Sequence, residues 1–132
     1  MPRKRLVQLL FATLLVTTGA AAADNSWLTR SGYYRVSYES KLQPVVINTI
    51  HSWVFHIASA EGKPIDGATI LVTGGMPLHN HGLPTDPRMT KDLGNGDYLL
   101  EGMRFHMNGA WELLITIDVE GRRDTVVIPL TI

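Results

Sequence analysis

The sequence contains no cysteine among its 132 residues. This absence excludes disulfide bonds, thiol nucleophiles and structural zinc sites of the cysteine type. It also excludes a lipid anchor attached through cysteine. A site for a soft metal ion would therefore have to use methionine and histidine, and the chain has five of each.

The recognisable motifs of common enzymes are also missing. There is no glycine-rich phosphate loop, no nucleophile elbow, no Cys/His pair and no HExxH motif. The acidic residues Asp86, Asp92 and Asp97 fall in predicted turns, where aspartate is common because its side chain bonds to nearby backbone. We therefore expect a protein that is not an enzyme.

The first residues, "MPRKRLVQLLFATLLVTTGAAAADNS", are typical of a secretory signal peptide. Three basic residues at positions 3–5 precede an apolar run at 6–18 and three alanines that end at Ala23. The run is shorter than the roughly 20 residues of a membrane helix, and no later segment approaches that length. We expect a signal peptide at residues 1–23 and a periplasmic or secreted mature chain without a membrane span.

Residues 24–132 form one domain that is long enough to bury a core without disulfides. The leader removes three positive charges, which leaves 9 basic against 12 acidic residues and a net charge of about −3. A nucleic-acid partner is not expected at this charge.

Alternation of apolar and polar residues recurs along the mature chain and indicates an all-β fold. Trp53, Phe55 and Ile57 mark the buried side of one strand, and "AWELLITIDV" forms another with Leu114 facing outward. Pro129 cannot donate a ladder hydrogen bond, so the last strand is expected at a sheet edge. The pattern predicts an immunoglobulin-like β-sandwich of about seven strands.

The segment "GGMPLHNHGLPTDPRM" is the first candidate site. If the chain is extended there, His79 and His81 project to the same side, next to Met76 and between prolines that stiffen the loop. Imidazole and thioether together suit copper. The alternative is a stiff, solvated loop without metal.

The segment "MRFHMNG" is the second candidate, because it lies at the end of a predicted strand that can meet the first loop. His106 and Met107 can both ligate only if the strand breaks near Gly109, since neighbouring strand residues face opposite sides. Met103 is interpreted as core filling. Two further histidines, His51 and His56, are interpreted as structural or surface residues on opposite faces of one strand.

The stretches "EGKPIDGATILV", "MPLHNHG" and "GDYLLEGMRFHMNGAWEL" resemble the YtkA-like and FixH-like group of small extracytoplasmic β-sandwich domains. The resemblance covers most of residues 44–132 and implies a link to copper handling and to assembly of copper-containing oxidases. His79 stands where the family often has methionine, and His106 adds an imidazole. The family loop and strand end are matched by Met76, Pro77, His81, Gly82, Phe105, Met107, Gly109 and Trp111.

From the residues and the resemblance together we expect a copper-binding metallochaperone or buffer with Cu(I) or Cu(II) at one end of the sandwich. Its predicted ligands are Met76, His79, His81, His106 and Met107. An envelope protein that donates or receives copper would be its partner. Two alternatives stay open: a protein-interaction module that docks through the prolyl loop without metal, and a small-organic-ligand binder, against which the bulky core residues argue. Similar sequences are also labelled auxin-binding, but no residue here supports that ligand.

Overall fold

The computed structural model describes residues 25–132, which form antiparallel sheets and contain no helix. The predicted signal peptide at residues 1–23 lies outside the described residues. Within them, no helix could cross a membrane. The strands are β1 (Trp27–Leu28), β2 (Tyr34–Ser40), β3 (His51–Ser59), β4 (Thr69–Met76), β5 (His81–Gly82), β6 (Arg88–Gly94), β7 (Asp97–Met103), β8 (Ala110–Val119) and β9 (Arg122–Thr131).

Two sheets enclose the core. One has the order β1-β2-β3-β7-β6 and the other the order β5-β4-β8-β9. The all-β sandwich predicted from the sequence is confirmed. Seven of the described strands have seven or more residues, and β1 and β5 add two residues each. Strand β9, which contains Pro129, lies at a sheet edge as expected.

The alternation in β3 and β8 decides which side chains are buried. Trp53, Phe55 and Ile57 are almost fully buried in β3, whereas Leu114 in β8 remains 41% exposed. Neighbouring strand residues face opposite sides of a sheet, so each sheet gives one apolar face to the shared core. The inward faces of both strands are therefore as predicted.

Strand β7 is shorter than the apolar pattern of "YLLEGMRFHM" suggests. It ends at Met103, and residues 104–109 follow an irregular path. The backbone N–H of Asn48, rather than a neighbouring strand, donates to the Phe105 carbonyl at 2.7 Å. Because β7 ends before His106, the alternation of faces no longer constrains His106 and Met107.

The opposite part of the sandwich contains a buried carboxylate. Asp124 is 5% exposed, and both its oxygens accept hydrogen bonds from the Ser31 backbone N–H, at 3.0 and 3.1 Å. Thr125 donates to it as well, at 2.9 Å. These bonds fix the turn between β1 and β2 to β9.

Candidate metal centre

The structure brings the two candidate segments together at one end of the sandwich. The rings of His81 and His106 have centroids 4.8 Å apart. Trp111 meets both rings edge to face, at 5.9 Å from His81 and 5.6 Å from His106. The predicted meeting of the loop with the strand end is therefore present in the fold.

His81 is positioned by pairing between β4 and β5. Met76 is its partner across the strands, and Gly75 is the partner of Gly82. A Cβ atom on Gly75 would lie 2.6 Å from the His81 carbonyl oxygen, so only glycine permits this approach. The turn between the strands is closed by a 3.0 Å hydrogen bond from the His79 N–H to the Met76 carbonyl. The loop is thus partly strand, which the sequence interpretation did not predict.

His106 is positioned by the irregular segment after β7. Its neighbour Phe105 is fully buried and anchors the segment in the core. The indole Nε1 of Trp111 donates to the Met107 carbonyl at 3.0 Å. The segment is held on both sides of His106, which limits the positions that the imidazole can take.

In each ring of the pair His81 and His106, one nitrogen has no hydrogen-bond partner among the described residues. These nitrogens are Nε2 of His81 and Nδ1 of His106, and both atoms are buried. A buried polar atom without a partner costs free energy, so most such atoms in folded proteins have one. The other ring nitrogen of His81, Nδ1, lies 3.4 Å from the Gly82 carbonyl. A proton on Nδ1 would leave Nε2 with a free lone pair, the form that ligates a metal ion.

His79 lies beside the pair without completing the same contacts. Its ring centroid is 5.8 Å from that of His81, the two planes are inclined by 29°, and its side chain is exposed. The three imidazoles therefore follow one another in the order His79, His81, His106. His79 and His81 do not point apart, as a metal-free loop would have allowed.

The predicted methionine ligands differ in exposure. Met76 is 2% exposed, and a Cβ atom on Gly109 would lie 2.9 Å from its methyl carbon. Met107 is 37% exposed. Met103 is fully buried, in agreement with its interpretation as core filling. Residues 25–132 contain no group of three or more His, Asp or Glu side chains arranged for a metal. A site at this end thus depends on thioether sulfur beside the histidine pair.

Two residues at this end were not among the predicted ligands. His51 is buried, and its Nε2 has no hydrogen-bond partner among the described residues, while its Nδ1 lies 2.9 Å from the Thr49 carbonyl. Its ring is separated from the histidine pair by Phe105 and Trp111. For Trp111 the sequence indicated only a match to the family's strand end. Its register beside the loop strand is a long-range property, so no local pattern in the sequence predicts its contacts with both imidazoles.

His56 lies on the opposite face of β3 from His51, as the sequence predicts. Its Nδ1 is 2.7 Å from a carboxylate oxygen of Asp97, the first residue of β7. The contact joins neighbouring strands on the outer face of the five-stranded sheet. His56 therefore has a carboxylate partner and lies away from the candidate site.

A groove of about 500 Å³ lies next to the loop. Its lining includes Met76, Pro77 and His81, together with Leu114 and Val127 of the outer sheet face. Leu78, at the tip of the loop, is 87% exposed. The candidate site is thus bordered by an accessible, partly apolar surface.

Comparisons with known proteins agree with this architecture. A family profile described as YtkA-like matches residues 32–116. No curated protein matches the chain. A crystal structure of a DUF4426 family protein from Pseudomonas aeruginosa PAO1 superposes with a TM-score of 0.57 and 17% identity, covering 84% of this chain and 97% of that one. At this identity the likeness shows the fold alone.

Proposed function

The chain belongs to the YtkA-like family, and we propose that it is a periplasmic copper-binding protein that buffers copper or passes it to an envelope partner. The observation that supports this function is the histidine pair. His81 and His106 present two buried, unpartnered nitrogens from rings 4.8 Å apart. A metal ion that accepts both lone pairs would offset the cost of burying them.

The available donors favour copper over the harder cations. Calcium and magnesium require several converging oxygen ligands, whereas copper binds well to imidazole and thioether. His81 and His106 supply nitrogen, and Met76 and Met107 are the nearest candidates for sulfur. Compared with the methionine-rich family pattern, His79 and His106 make this donor set richer in nitrogen.

The arrangement suits transfer of an ion better than catalysis. His81 and His106 each have one buried, unpartnered nitrogen, while His79 and Met107 are exposed at the same end. An acceptor protein could therefore reach the outer ligands first and exchange them one at a time. Assembly of a copper-containing oxidase is one process that needs such a donor, and it fits the family resemblance.

Titration with Cu(I) and Cu(II) tests this function. We expect one tight site in the parent, and loss of that site in a His79→Ala/His81→Ala double variant and in His106→Ala. His56→Ala is the matched control, because His56 bonds to Asp97 away from the site. Equal copper binding by the parent, the His79→Ala/His81→Ala double variant and His106→Ala would overturn the proposal.

A protein-interaction module without metal is the second candidate, favoured by the groove beside Pro77 and the 87% exposure of Leu78. If the protein acts by docking a partner, Leu78→Ser should abolish complementation of a deletion strain, whereas His106→Ala should leave complementation intact. Complementation is measured as copper tolerance of the deletion strain. If the protein acts by binding copper, His106→Ala should lose tolerance and Leu78→Ser should keep it.

A further inference from the structure

A chain of aromatic rings leads away from the histidine pair into the core. Trp111, which touches both imidazoles, meets Phe105 edge to face with centroids 5.1 Å apart. Phe105 in turn lies 6.1 Å from Trp53. Trp53, Phe105 and Trp111 are each no more than 1% exposed. This part of the chain is therefore shielded from water.

The series of aromatic rings continues from the core towards the surface. Trp53 stacks on Tyr38 with centroids 4.4 Å apart, and Tyr38 stacks on Trp27 at 5.6 Å. Trp27 is partly exposed on the edge strand β1. All three tryptophans of the protein belong to this one series of contacts. It connects the candidate site with a surface at the edge of the five-stranded sheet.

Indole and phenol rings are among the side chains that lose a single electron most readily, whereas the phenyl ring of Phe105 does so with difficulty. Trp111, Trp53, Tyr38 and Trp27 are therefore redox-active members, and Phe105 bridges two of them. An electron moves between such rings over short separations without any rearrangement of the fold. Packing alone requires apolar bulk at these positions and does not require an oxidisable ring at each step.

We propose that this aromatic chain carries one-electron oxidising equivalents from the histidine pair to Trp27. An oxidant at the site takes an electron from Trp111. One electron then moves from Trp53 to Trp111 through Phe105. The next moves from Tyr38 to Trp53, and the last from Trp27 to Tyr38. In the net step Trp27 loses one electron and gives its indole proton to water, while the oxidant gains one electron. The imidazole and thioether groups at the site are spared.

The inference rests on the proposed function only for the source of the oxidant. If the site held Cu(I), its oxidation by hydrogen peroxide would yield Cu(II), hydroxide and a hydroxyl radical. The radical takes the electron delivered by the chain and becomes hydroxide. Methionine is readily oxidised to its sulfoxide, so Met76 and Met107 would otherwise be the nearest targets.

The test uses a light-generated oxidant and no copper. Because the protein has no cysteine, Leu78→Cys gives a single attachment point for a thiol-reactive ruthenium trisbipyridine complex, next to His79 and 87% exposed. A flash in the presence of a cobalt(III) quencher produces Ru(III) at the loop. Transient absorption follows the indole radicals, and peptide mass spectrometry locates the oxidised residue.

The labelled parent is expected to give oxidised Trp27. Trp53→Phe and Tyr38→Phe should lower this product to the level of the unilluminated sample, with oxidation retained near the loop. Tyr38→Phe removes only a hydroxyl and thus keeps the packing. Tyr33→Phe is the matched control, because Tyr33 contacts Tyr34 and Arg122 and is not one of the rings in this aromatic series. Circular dichroism confirms that each variant is folded.

The proposed electron transfer along the aromatic rings would be overturned if the labelled parent gave no oxidised Trp27. Equal amounts of oxidised Trp27 in the parent, Trp53→Phe and Tyr38→Phe would overturn it as well. Either result would leave the copper proposal untouched, since no copper is present. Conversely, a protein that fails to bind copper can still show the relay in this experiment.

Discussion

Gly75 and His81 approach so closely across β4 and β5 that a Cβ atom on Gly75 would lie 2.6 Å from the His81 carbonyl oxygen. The atom it would meet belongs to the backbone, which cannot rotate away as a side chain can. The short strand β5 consists of His81 and Gly82 alone. The position of one imidazole in the candidate site therefore depends on a hydrogen atom in place of a methyl group.

Gly75→Ala is expected to push β5 away from β4 and to separate His81 from His106. Overpacking of this kind destabilises a protein by about 1 to 3 kcal/mol. We expect a lower free energy of unfolding in urea and weaker copper binding. Leu71→Ala, at a 61% exposed position of the same strand, is the control and should leave copper binding unchanged. Copper binding at parental strength by folded Gly75→Ala would show that β5 is not needed to position the ligand.

The two candidate methionines are expected to determine the preference for Cu(I). Met76→Leu and Met107→Leu conserve volume and remove the thioether, so they should weaken binding of Cu(I) more than that of Cu(II). Competition with a chromogenic Cu(I) chelator measures the affinity for Cu(I), and loss of tryptophan fluorescence measures the affinity for Cu(II). Met103→Leu is the matched control in the core. A Cu(I) affinity that is the same in all three variants would remove sulfur from the ligand set.

Asp124→Asn is expected to destabilise the fold at neutral pH by about 2 kcal/mol, because hydrogen bonds to a buried charged group are lost or weakened. Burial raises the pKa of Asp124, but hydrogen bonds exceed this effect and lower the pKa from 3.8 to about 2. They come from the Thr29 side chain and from the backbone of Thr125, Ser31 and Tyr33.

Because the folded-state pKa is the lower one, the stabilisation by Asp124 is complete above the ordinary pKa of 3.8. It is lost as the pH falls towards about 2. Urea unfolding across this range should show a smaller loss of stability in Asp124→Asn than in the parent. Asp86→Asn, at an exposed position, is the control. Parallel pH profiles for the parent and Asp124→Asn would contradict this role.

The sequence predicted what depends on local periodicity. Trp53 and Phe55 in β3, and Leu113 against Leu114 in β8, follow the alternation of a sheet with one buried face, so their environments could be inferred from their neighbours. The edge position of Pro129 followed from its missing N–H group in the same way.

The details of the candidate site depend on contacts between distant segments and could only be guessed. Pairing of Met76 with His81 requires the close approach at Gly75, which no alternation pattern reveals. Strand β7 stops at Met103, although the apolar pattern continues to Met107. That Trp111 touches both imidazoles follows from the register between β4 and β8, a property of the whole sheet.

Two backbone hydrogen bonds close the hairpin around residues 77–80: the His79 N–H donates to the Met76 carbonyl within the turn, and the Leu83 N–H donates to the Gly74 carbonyl just beyond β5. Everything beyond these bonds belongs to the sandwich. If an ion binds at His81, its departure would therefore require a local opening of this turn and of the two-residue strand β5, while the longer strands stay paired. Local openings of this kind occur at far lower free energies than global unfolding. The lifetime of an ion bound there and the lifetime of the fold would thus be set by separate barriers, and each could change without the other.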